Sequence, residues 1–146
     1  MKAGVDYIGI SAIFICHDGQ GKILMHQRSE KCRDEQGNWE FGGGQLDFGE
    51  DVRECVLREV KEEYGCAGEI QEELPVRSLF REVGSVKTHW LLIPFIIKVD
   101  PREVEIGEPE KMSAIGWFTL DNLPSPLHSN IPDFLKEYSR YLKKYL

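Results

Sequence analysis

The sequence predicts an α/β protein in which one mixed β-sheet lies between helices. Apolar segments of strand length recur along most of the chain and are separated by glycine, proline and acidic turn residues. Two other segments carry apolar residues at helical spacing, one in the middle of the chain and one at its end. Strands and amphipathic helices mixed in this way are typical of a sheet whose faces are covered by helices.

The first half of the chain predicts three strands. Residues 7–16 and 23–28 are rich in apolar side chains, and the turn residues 18–21 separate them. Residues 39–41 form a shorter strand that enters a run of three glycines at 42–44. Because glycine lets the backbone approach a ligand closely, we expect this run to form a loop beside a binding site.

The second half predicts three more strands. Residues 75–82 and 88–99 flank a turn at 84–85, and residues 114–118 form a further strand. Residues 88–99 are almost continuously apolar, which indicates a central strand buried on both faces. Between these strands, residues 100–111 form a charged loop.

The end of the chain predicts an amphipathic helix that begins near Pro132. Proline is favoured in the first turn of a helix, and Asn130 precedes it. Apolar residues then recur at spacings of three and four, so one face is apolar. These residues are Phe134, Leu135, Tyr138, Tyr141, Leu142 and Tyr145.

Length and composition predict one compact domain over residues 1–146. A chain of 146 residues with 41% hydrophobic content can bury a full core but is short for two typical domains. Its net charge of −7 argues against a long nucleic acid as partner, because such binders usually carry a basic surface. No run has the length of a membrane span or a secretory leader, so we expect a soluble, cytoplasmic protein with no membrane partner.

The cysteines and histidines show no spacing typical of a zinc site or a disulfide framework. We therefore expect reduced cysteines with mostly structural roles. The residues concerned are Cys16, Cys32, Cys55 and Cys66 with His17, His26, His89 and His128.

The most specific pattern runs from Gly44 through Glu50 to Cys66. Its second half reads Arg58-Glu59-Val60-Lys61-Glu62-Glu63-Tyr64-Gly65-Cys66. A helix turns about 100° per residue, so Glu62 and Glu63 lie within roughly 60° of Glu59. Three carboxylates on one strip repel one another and invite a counter-cation. Oxygen ligands favour Mg²⁺, with Mn²⁺ as a substitute, over zinc.

The flanks of this segment predict a helix buried on one side. Glu50 and Asp51 near its start complement the helix dipole, and Gly65 stands at the left-handed position that ends a helix. Apolar residues occupy the arc beside the acidic strip, as an amphipathic helix requires. They are Val56, Leu57, Val60 and Tyr64.

The spacing from Gly44 to Cys66 resembles the signature box of the Nudix (MutT-like) hydrolases. That family cleaves a diphosphate linkage in a nucleoside diphosphate joined to another group X. The resemblance implies an α/β/α sandwich. Two positions depart from the usual pattern: Cys66 stands for an aliphatic residue, and Gly42 stands where a proline is usual. The loss of proline removes a fixed φ and puts the rigidity of the glycine segment in question.

The resemblance implies roles for the residues of the box. Glu59, Glu62 and Glu63, with the carbonyl oxygen of Gly43, would bind Mg²⁺, and Gly44 would approach the substrate. Arg58 can pair with Glu54 or turn back to hold the glycine loop, and we favour the second role. Glu50 is expected to orient a partner group. The general base is left open among Glu63, Glu59 and Glu110.

Four residues outside the box are further candidates by resemblance. Glu110 stands where many relatives place another acidic metal ligand or base, and Glu103, Glu105 and Glu108 are its rivals. Arg28 matches an arginine that contacts substrate phosphate, with a surface ion pair as the alternative. Trp117 and Phe118 match an aromatic pair under the base, with burial in the core as the alternative.

The sequence favours a nucleoside triphosphate pyrophosphohydrolase that releases a nucleoside monophosphate and pyrophosphate. Residues 80–84 lack the proline or tyrosine that marks relatives acting on ADP-ribose or dinucleoside polyphosphates. Hydrolysis of an NDP-sugar, ADP-ribose or a dinucleoside polyphosphate is the alternative. Readings of another class are a non-catalytic nucleotide sensor and an acidic protein-interaction domain. The expected partner is a small nucleotide-linked substrate, and a homodimer is left open.

Overall fold

A computed structural model describes residues 1–146 as an eight-stranded mixed sheet with two helices. The elements, in chain order, are β1 (Gly9–His17), β2 (Ile23–Arg28), β3 (Trp39–Glu40), β4 (Gly42–Gln45), α1 (Val52–Tyr64), β5 (Gly68–Glu73), β6 (Arg77–Val83), β7 (Val86–Val99), β8 (Met112–Phe118) and α2 (Ile131–Leu142). Neither helix is long and apolar enough to cross a membrane.

The long strand β7 lies at the centre of the sheet, as its sequence predicts. The strand order is β3-β2-β1-β7-β5, while β4 pairs with β1, β6 with the first half of β7, and β8 with β2. The β1–β7 pair is parallel and the other pairs are antiparallel. Phe95, Ile96 and Ile97 are at most 1% exposed, which explains the continuous apolar run.

Two hydrophobic cores lie on opposite faces of this sheet. Alternate residues of β1 point to opposite faces, so Phe14 joins one core and Ile15 the other. The first core packs under α1 through Val56 and Val60, and the second packs under α2, where Phe134 belongs to it. The predicted sandwich of helix, sheet and helix is therefore confirmed.

Two strands were not predicted from the sequence. The glycine run at 42–44 is not a loop but part of β4, where Gly43 lies opposite Ile13 of β1. Strand β5, GEIQEE, has only one apolar residue and exposes every second side chain, so it carries no strong strand pattern. Both are held by ladder hydrogen bonds to neighbouring strands, which local sequence does not encode.

Several predicted boundaries and orientations also differ. Tyr7 and Ile8 precede β1 and are half exposed, because β1 begins only at Gly9. Leu57 is 36% exposed and does not belong to the apolar face of α1. Helix α2 ends at Leu142, so Tyr145 lies beyond it. All four cysteines are free thiols, and three of them are buried.

Candidate active site

Helix α1 has defined ends on both sides. The Asp51 side chain accepts a hydrogen bond from the backbone N–H of Arg53 at 2.8 Å, which caps the first turn. At the other end Gly65 has φ of +68° and donates its N–H to the carbonyl of Lys61. Only glycine adopts this left-handed conformation without strain. The acidic residues between these ends are therefore held on a helix of fixed length.

Strand β4 packs so closely on α1 and β1 that its glycines have no room for side chains. A Cβ atom at Gly44 would lie 2.0 Å from the carboxyl carbon of Glu59. A Cβ atom at Gly42 would lie 2.0 Å from the Phe14 ring and 2.7 Å from Oε2 of Glu63. Proline has a Cβ atom and would collide there too, which explains why this chain has glycine at position 42.

Glu63 is the most buried carboxylate of the helix, with 5% exposure. It accepts a hydrogen bond from the backbone N–H of Gly43 at 3.1 Å. Burial, followed by the charge of Glu59, raises the pKa of Glu63 well above its ordinary value. Because the N–H and C=O of a residue in an extended strand point to the same side, the carbonyl of Gly43 also faces α1.

Arg58 collects carboxylates around the exposed edge of the site. It donates to Glu50 at 2.7 and 3.0 Å, to Glu59 at 2.9 Å and to Glu62 at 3.2 Å. These hydrogen bonds lower the pKa of Glu50 to about 2. Arg58 makes no hydrogen bond to Glu54 or to the glycines. The prediction that it holds the glycine run is therefore wrong, since it holds the loop that follows β4.

Glu59 lies between these two environments. It is 8% exposed, and its Oε1 accepts a hydrogen bond from the guanidinium of Arg58. Burial raises the pKa of Glu59, although the hydrogen bond from Arg58 opposes this shift and the charge of Glu62 adds to it. Two carboxylates with raised pKa values, Glu59 and Glu63, therefore face β4 side by side.

The loop after β7 brings Glu108, rather than Glu110, towards Glu63. Its backbone caps the end of α1, since the N–H of Gly107 donates to the carbonyl of Glu63 at 2.8 Å. Oε2 of Glu108 pairs with Lys111 at 3.3 Å, while Oε1 is buried and has no hydrogen-bond partner. The charge of Glu108 contributes to the raised pKa of Glu63. Glu110 is exposed, and its side chain makes no hydrogen bond or ion pair with these residues.

Arg28 is engaged in ion pairs with Asp34 at 2.9 Å and Glu40 at 3.1 Å. Glu40 also contacts His26, whose other ring nitrogen lies 2.7 Å from the Tyr64 hydroxyl at the end of α1. Burial opposes ionisation of Glu40, but the His26 hydrogen bond and the Arg28 charge outweigh it and lower the pKa. Sequence reasoning gave no role to His26, Glu40 or Asp34. The only signal in the sequence is a charged residue, Glu40, between the aromatic residues Trp39 and Phe41.

The structure separates Trp117 from Phe118. The two residues are neighbours in β8, so their side chains point to opposite faces of the sheet. Trp117 packs against the core under α1, whereas Phe118 packs against the core under α2 and meets Trp39 edge-on at 5.3 Å. Both are partly buried. They therefore do not form one platform, and only Trp117 is on the face that carries Glu59 and Glu63.

The donor set of this site fits a hard divalent cation. Carboxylates of Glu59, Glu62 and Glu63 lie at one edge of α1, beside the carbonyl of Gly43, and oxygen donors are those that Mg²⁺ prefers. The buried Oε1 of Glu108, which has no partner, is a further oxygen available to a cation. In the present arrangement Arg58 bridges Glu59 and Glu62, and no three carboxylates converge as a ready-made ligand set.

Comparison with known proteins gives one family. The NUDIX domain matches residues 8–138. An ADP-ribose pyrophosphatase from Methanocaldococcus jannaschii is 32% identical over 120 residues, which cover 82% of this chain and 67% of the relative. A CTP pyrophosphohydrolase from Escherichia coli is 39% identical over 69 residues, which cover 47% of this chain and 49% of the relative.

A solved structure shares the fold. A MutT NUDIX hydrolase from Burkholderia pseudomallei superposes with a TM-score of 0.72 and 28% identity, covering 90% of this chain and 98% of that one. The chain spans less than half the length of several curated relatives that it matches. These matches confirm the resemblance that the segment from Gly44 to Cys66 indicates.

Proposed function

This chain belongs to the NUDIX family, and we propose that it is a hydrolase that cleaves a diphosphate linkage in a nucleotide-linked substrate. The observation that carries this proposal is the pair Glu59 and Glu63, both buried against the glycines of β4. Buried carboxylates with raised pKa values are costly to a fold, so their presence at one edge favours a catalytic role.

The residues of the site have different proposed roles. Glu59, Glu62, Glu63 and the carbonyl of Gly43 would hold Mg²⁺, and Glu108 is a better candidate than Glu110 for a further ligand or base. A bound Mg²⁺ supplies charge neutralisation at the diphosphate oxygens and a more acidic water.

Glu63 is our first candidate for the proton acceptor. The N–H of Gly43 fixes one of its oxygens, and its raised pKa makes it a stronger base than an ordinary glutamate carboxylate. Arg58 orients Glu50 and neutralises the exposed edge of the acidic strip. Gly44 has no side chain, which lets the backbone of β4 lie directly against the Glu59 carboxylate, where the substrate would bind.

We propose a nucleoside triphosphate as the first substrate class, with a nucleoside monophosphate and pyrophosphate as products. The absence of the ADP-ribose marker in residues 80–84 and the relationship to a CTP pyrophosphohydrolase support this choice. ADP-ribose is the second candidate, favoured by the Methanocaldococcus jannaschii relative. Arg28 would meet a substrate phosphate only by giving up part of its ion pairs with Asp34 and Glu40.

A non-catalytic nucleotide sensor is the main reading of another class. Such a module has no need for the full set of acidic residues, whereas this chain keeps Glu59, Glu62 and Glu63. An acidic protein-interaction surface would expose its carboxylates. Glu59 and Glu63 are buried instead, which disfavours that reading.

The test is hydrolysis of a substrate panel with Mg²⁺ and identification of the products. Nucleoside triphosphates, NDP-sugars, ADP-ribose and dinucleoside polyphosphates are compared, with Glu63→Gln as the inactive control. We expect the highest kcat/KM with a triphosphate, and pyrophosphate among the products. A higher kcat/KM with ADP-ribose than with any triphosphate would identify the second candidate, ADP-ribose, as the substrate. Binding of nucleotides without turnover of any of them would leave the sensor reading in its place.

A further inference from the structure

The outer edge of β6 carries unpaired backbone groups. Strand β6 pairs only with β7, and no other segment hydrogen-bonds to it through its backbone. The N–H of His89 donates to the carbonyl of Gly4 at 2.8 Å, on the side of β7 away from β6. Phe80 lies opposite His89. Phe80 and His89 therefore form a non-hydrogen-bonded pair, in which the backbone N–H and C=O of each residue point away from the other strand. The N–H and C=O of Phe80 thus point out of the sheet edge.

The same alternation places Ser78 and Glu82 at the free edge. Residues two apart in a strand direct their backbone groups to the same side, so Ser78, Phe80 and Glu82 all present an N–H and a C=O outwards. All three side chains are exposed. An extended segment that pairs with this edge can therefore form up to six backbone hydrogen bonds, two for each outward residue.

Exposed apolar side chains concentrate around the same edge. Phe80 is 70% exposed, Val83 52% and Val86 47%, and Val76 just before the strand is 56% exposed. These are four of the ten large hydrophobic side chains that the fold leaves exposed. Apolar groups gathered at an unpaired strand edge are typical of a surface that pairs with another chain.

We propose that this edge is an interface between two copies of the chain, in which two β6 strands pair antiparallel about a twofold axis at Phe80. A twofold interface requires that the strand complement itself. In this register the opposed residues are Arg77 with Val83, Ser78 with Glu82, Leu79 with Arg81, and Phe80 with Phe80. All seven residues of β6 are paired, and no two like charges stand directly opposite each other.

The neighbouring registers are disfavoured by charge. If the twofold axis lies at Leu79, Arg77 stands opposite Arg81 of the second copy. If the axis lies at Arg81, the two copies of Arg81 stand opposite each other. Like charges directly opposed across a strand pair destabilise it. In the proposed register the two copies of Arg81 are diagonal neighbours, and each is already neutralised by Glu35 at 2.9 Å and Asp34 at 3.4 Å.

Charge substitutions at Ser78 test both the interface and its register. Ser78→Lys places a cation opposite Glu82 of the second copy, whereas Ser78→Glu places an anion there, and each change occurs twice in the dimer. Exposed pairs contribute little singly, so we expect the dimer dissociation constant to fall with lysine and to rise with glutamate by roughly two- to thirtyfold each. Sedimentation over a range of concentrations measures both against the 16.8 kDa monomer.

Two further variants keep the outcome decisive. Phe80→Pro removes an outward N–H and the apolar side chain while leaving the β6–β7 ladder intact, and it should yield a monomer with unchanged circular dichroism. Phe48→Ser removes a fully exposed apolar side chain that lies outside β6 and should leave the dimer unchanged. A wild-type monomer at all concentrations, or a dimer that responds to Phe48→Ser and not to Phe80→Pro, would overturn the proposal. If Ser78→Lys and Ser78→Glu changed the dimer dissociation constant equally, Ser78 would not lie opposite Glu82, and the proposed register would be wrong.

Discussion

Glu63 shows how one residue links the cost of burial to reactivity. A carboxylate with 5% exposure that accepts one backbone hydrogen bond is poorly solvated in its charged form. The neighbouring charges of Glu59 and Glu108 add to this cost. We propose that the same raised pKa makes Glu63 a better proton acceptor than an ordinary glutamate carboxylate.

We expect Glu63→Gln to lower kcat by roughly 10²- to 10⁴-fold while leaving the thermal midpoint unchanged or higher. The amide oxygen still accepts the hydrogen bond from Gly43, and the buried charge is removed. Steady-state kinetics and calorimetry on the same preparation measure the two effects. Glu54→Gln, at an exposed position of the same helix, is the matched control and should change neither. Near wild-type turnover of Glu63→Gln with saturating Mg²⁺ would remove Glu63 from the catalytic set.

Single substitutions also test whether Glu108 or Glu110 is the further metal ligand or base. Glu108→Gln should lower kcat by about tenfold or more, because its buried Oε1 has no partner and its charge acts on Glu63. Glu110→Gln should leave kcat close to the wild-type value, because its side chain is exposed and has no contact with the site. The two variants have the same charge change on the same loop. A larger loss for Glu110→Gln would restore the role that the sequence predicts.

The sequence predicts the carboxylates of α1 better than it predicts their partners. Spacings of three and four residues place Glu59, Glu62 and Glu63 on one strip whatever surrounds the helix. The contact between His26 and Glu40 depends instead on the register of β2 with β3, which pairs these two residues. Nothing in the local pattern of either strand specifies that register, so this contact could not be predicted.

At the scale of elements, we expect α1 to couple metal binding to stability. Glu59 and Glu63 have raised pKa values in the folded protein and an ordinary pKa near 4.5 when unfolded. Between these values the folded protein holds more protons than the unfolded chain. Their contribution to the free energy of unfolding therefore falls as pH rises through that window. A divalent cation held by these residues would bind their deprotonated forms and oppose this loss.

We therefore expect Mn²⁺ or Mg²⁺ to raise the thermal midpoint more at neutral pH than near the ordinary pKa of glutamate. At a cation concentration of about 100 times Kd the gain is about 2.7 kcal/mol. Calorimetry with and without the cation at two pH values measures the difference. The Glu59→Gln variant should lose most of the gain. A midpoint that ignores the cation at both pH values would contradict the assignment of α1 as the metal-binding element.

Strands β4 and β5 show where sequence patterns stop predicting elements. Glycines carry no side-chain periodicity, so the strand at β4 is visible only through its pairing with β1. The same glycines are required because Gly42 and Gly44 lie against Glu63 and Glu59. A feature that the sequence suggests is a loop is thus a strand whose missing side chains make space for the acidic helix.

At the scale of the whole molecule, the sheet divides the protein into two faces with different tasks. Helix α1 and its carboxylates occupy one face, and α2 covers the other with an apolar core. The sequence predicts both helices and the central strand β7, because these have strong periodicity. The predicted strand at 114–118 places Trp117 and Phe118 on different faces, because neighbours in a strand alternate. It does not reveal which of the two lies on the face of α1, since that depends on how β8 pairs with β2.

Because Trp117 and Phe118 lie on different faces, we expect Trp117→Ala to change KM and Phe118→Ala to change thermal stability. Stacking on a nucleobase contributes roughly 1 to 3 kcal/mol, so loss of Trp117 should raise KM by roughly five- to 150-fold and change kcat less. Phe118 lies on the face of α2, where it packs against Trp39, and its loss should lower the thermal midpoint at unchanged KM. Kinetics and calorimetry on both variants compare the faces directly. If Trp117→Ala lost stability at wild-type KM, Trp117 would act only in the core under α1, and the base would bind elsewhere.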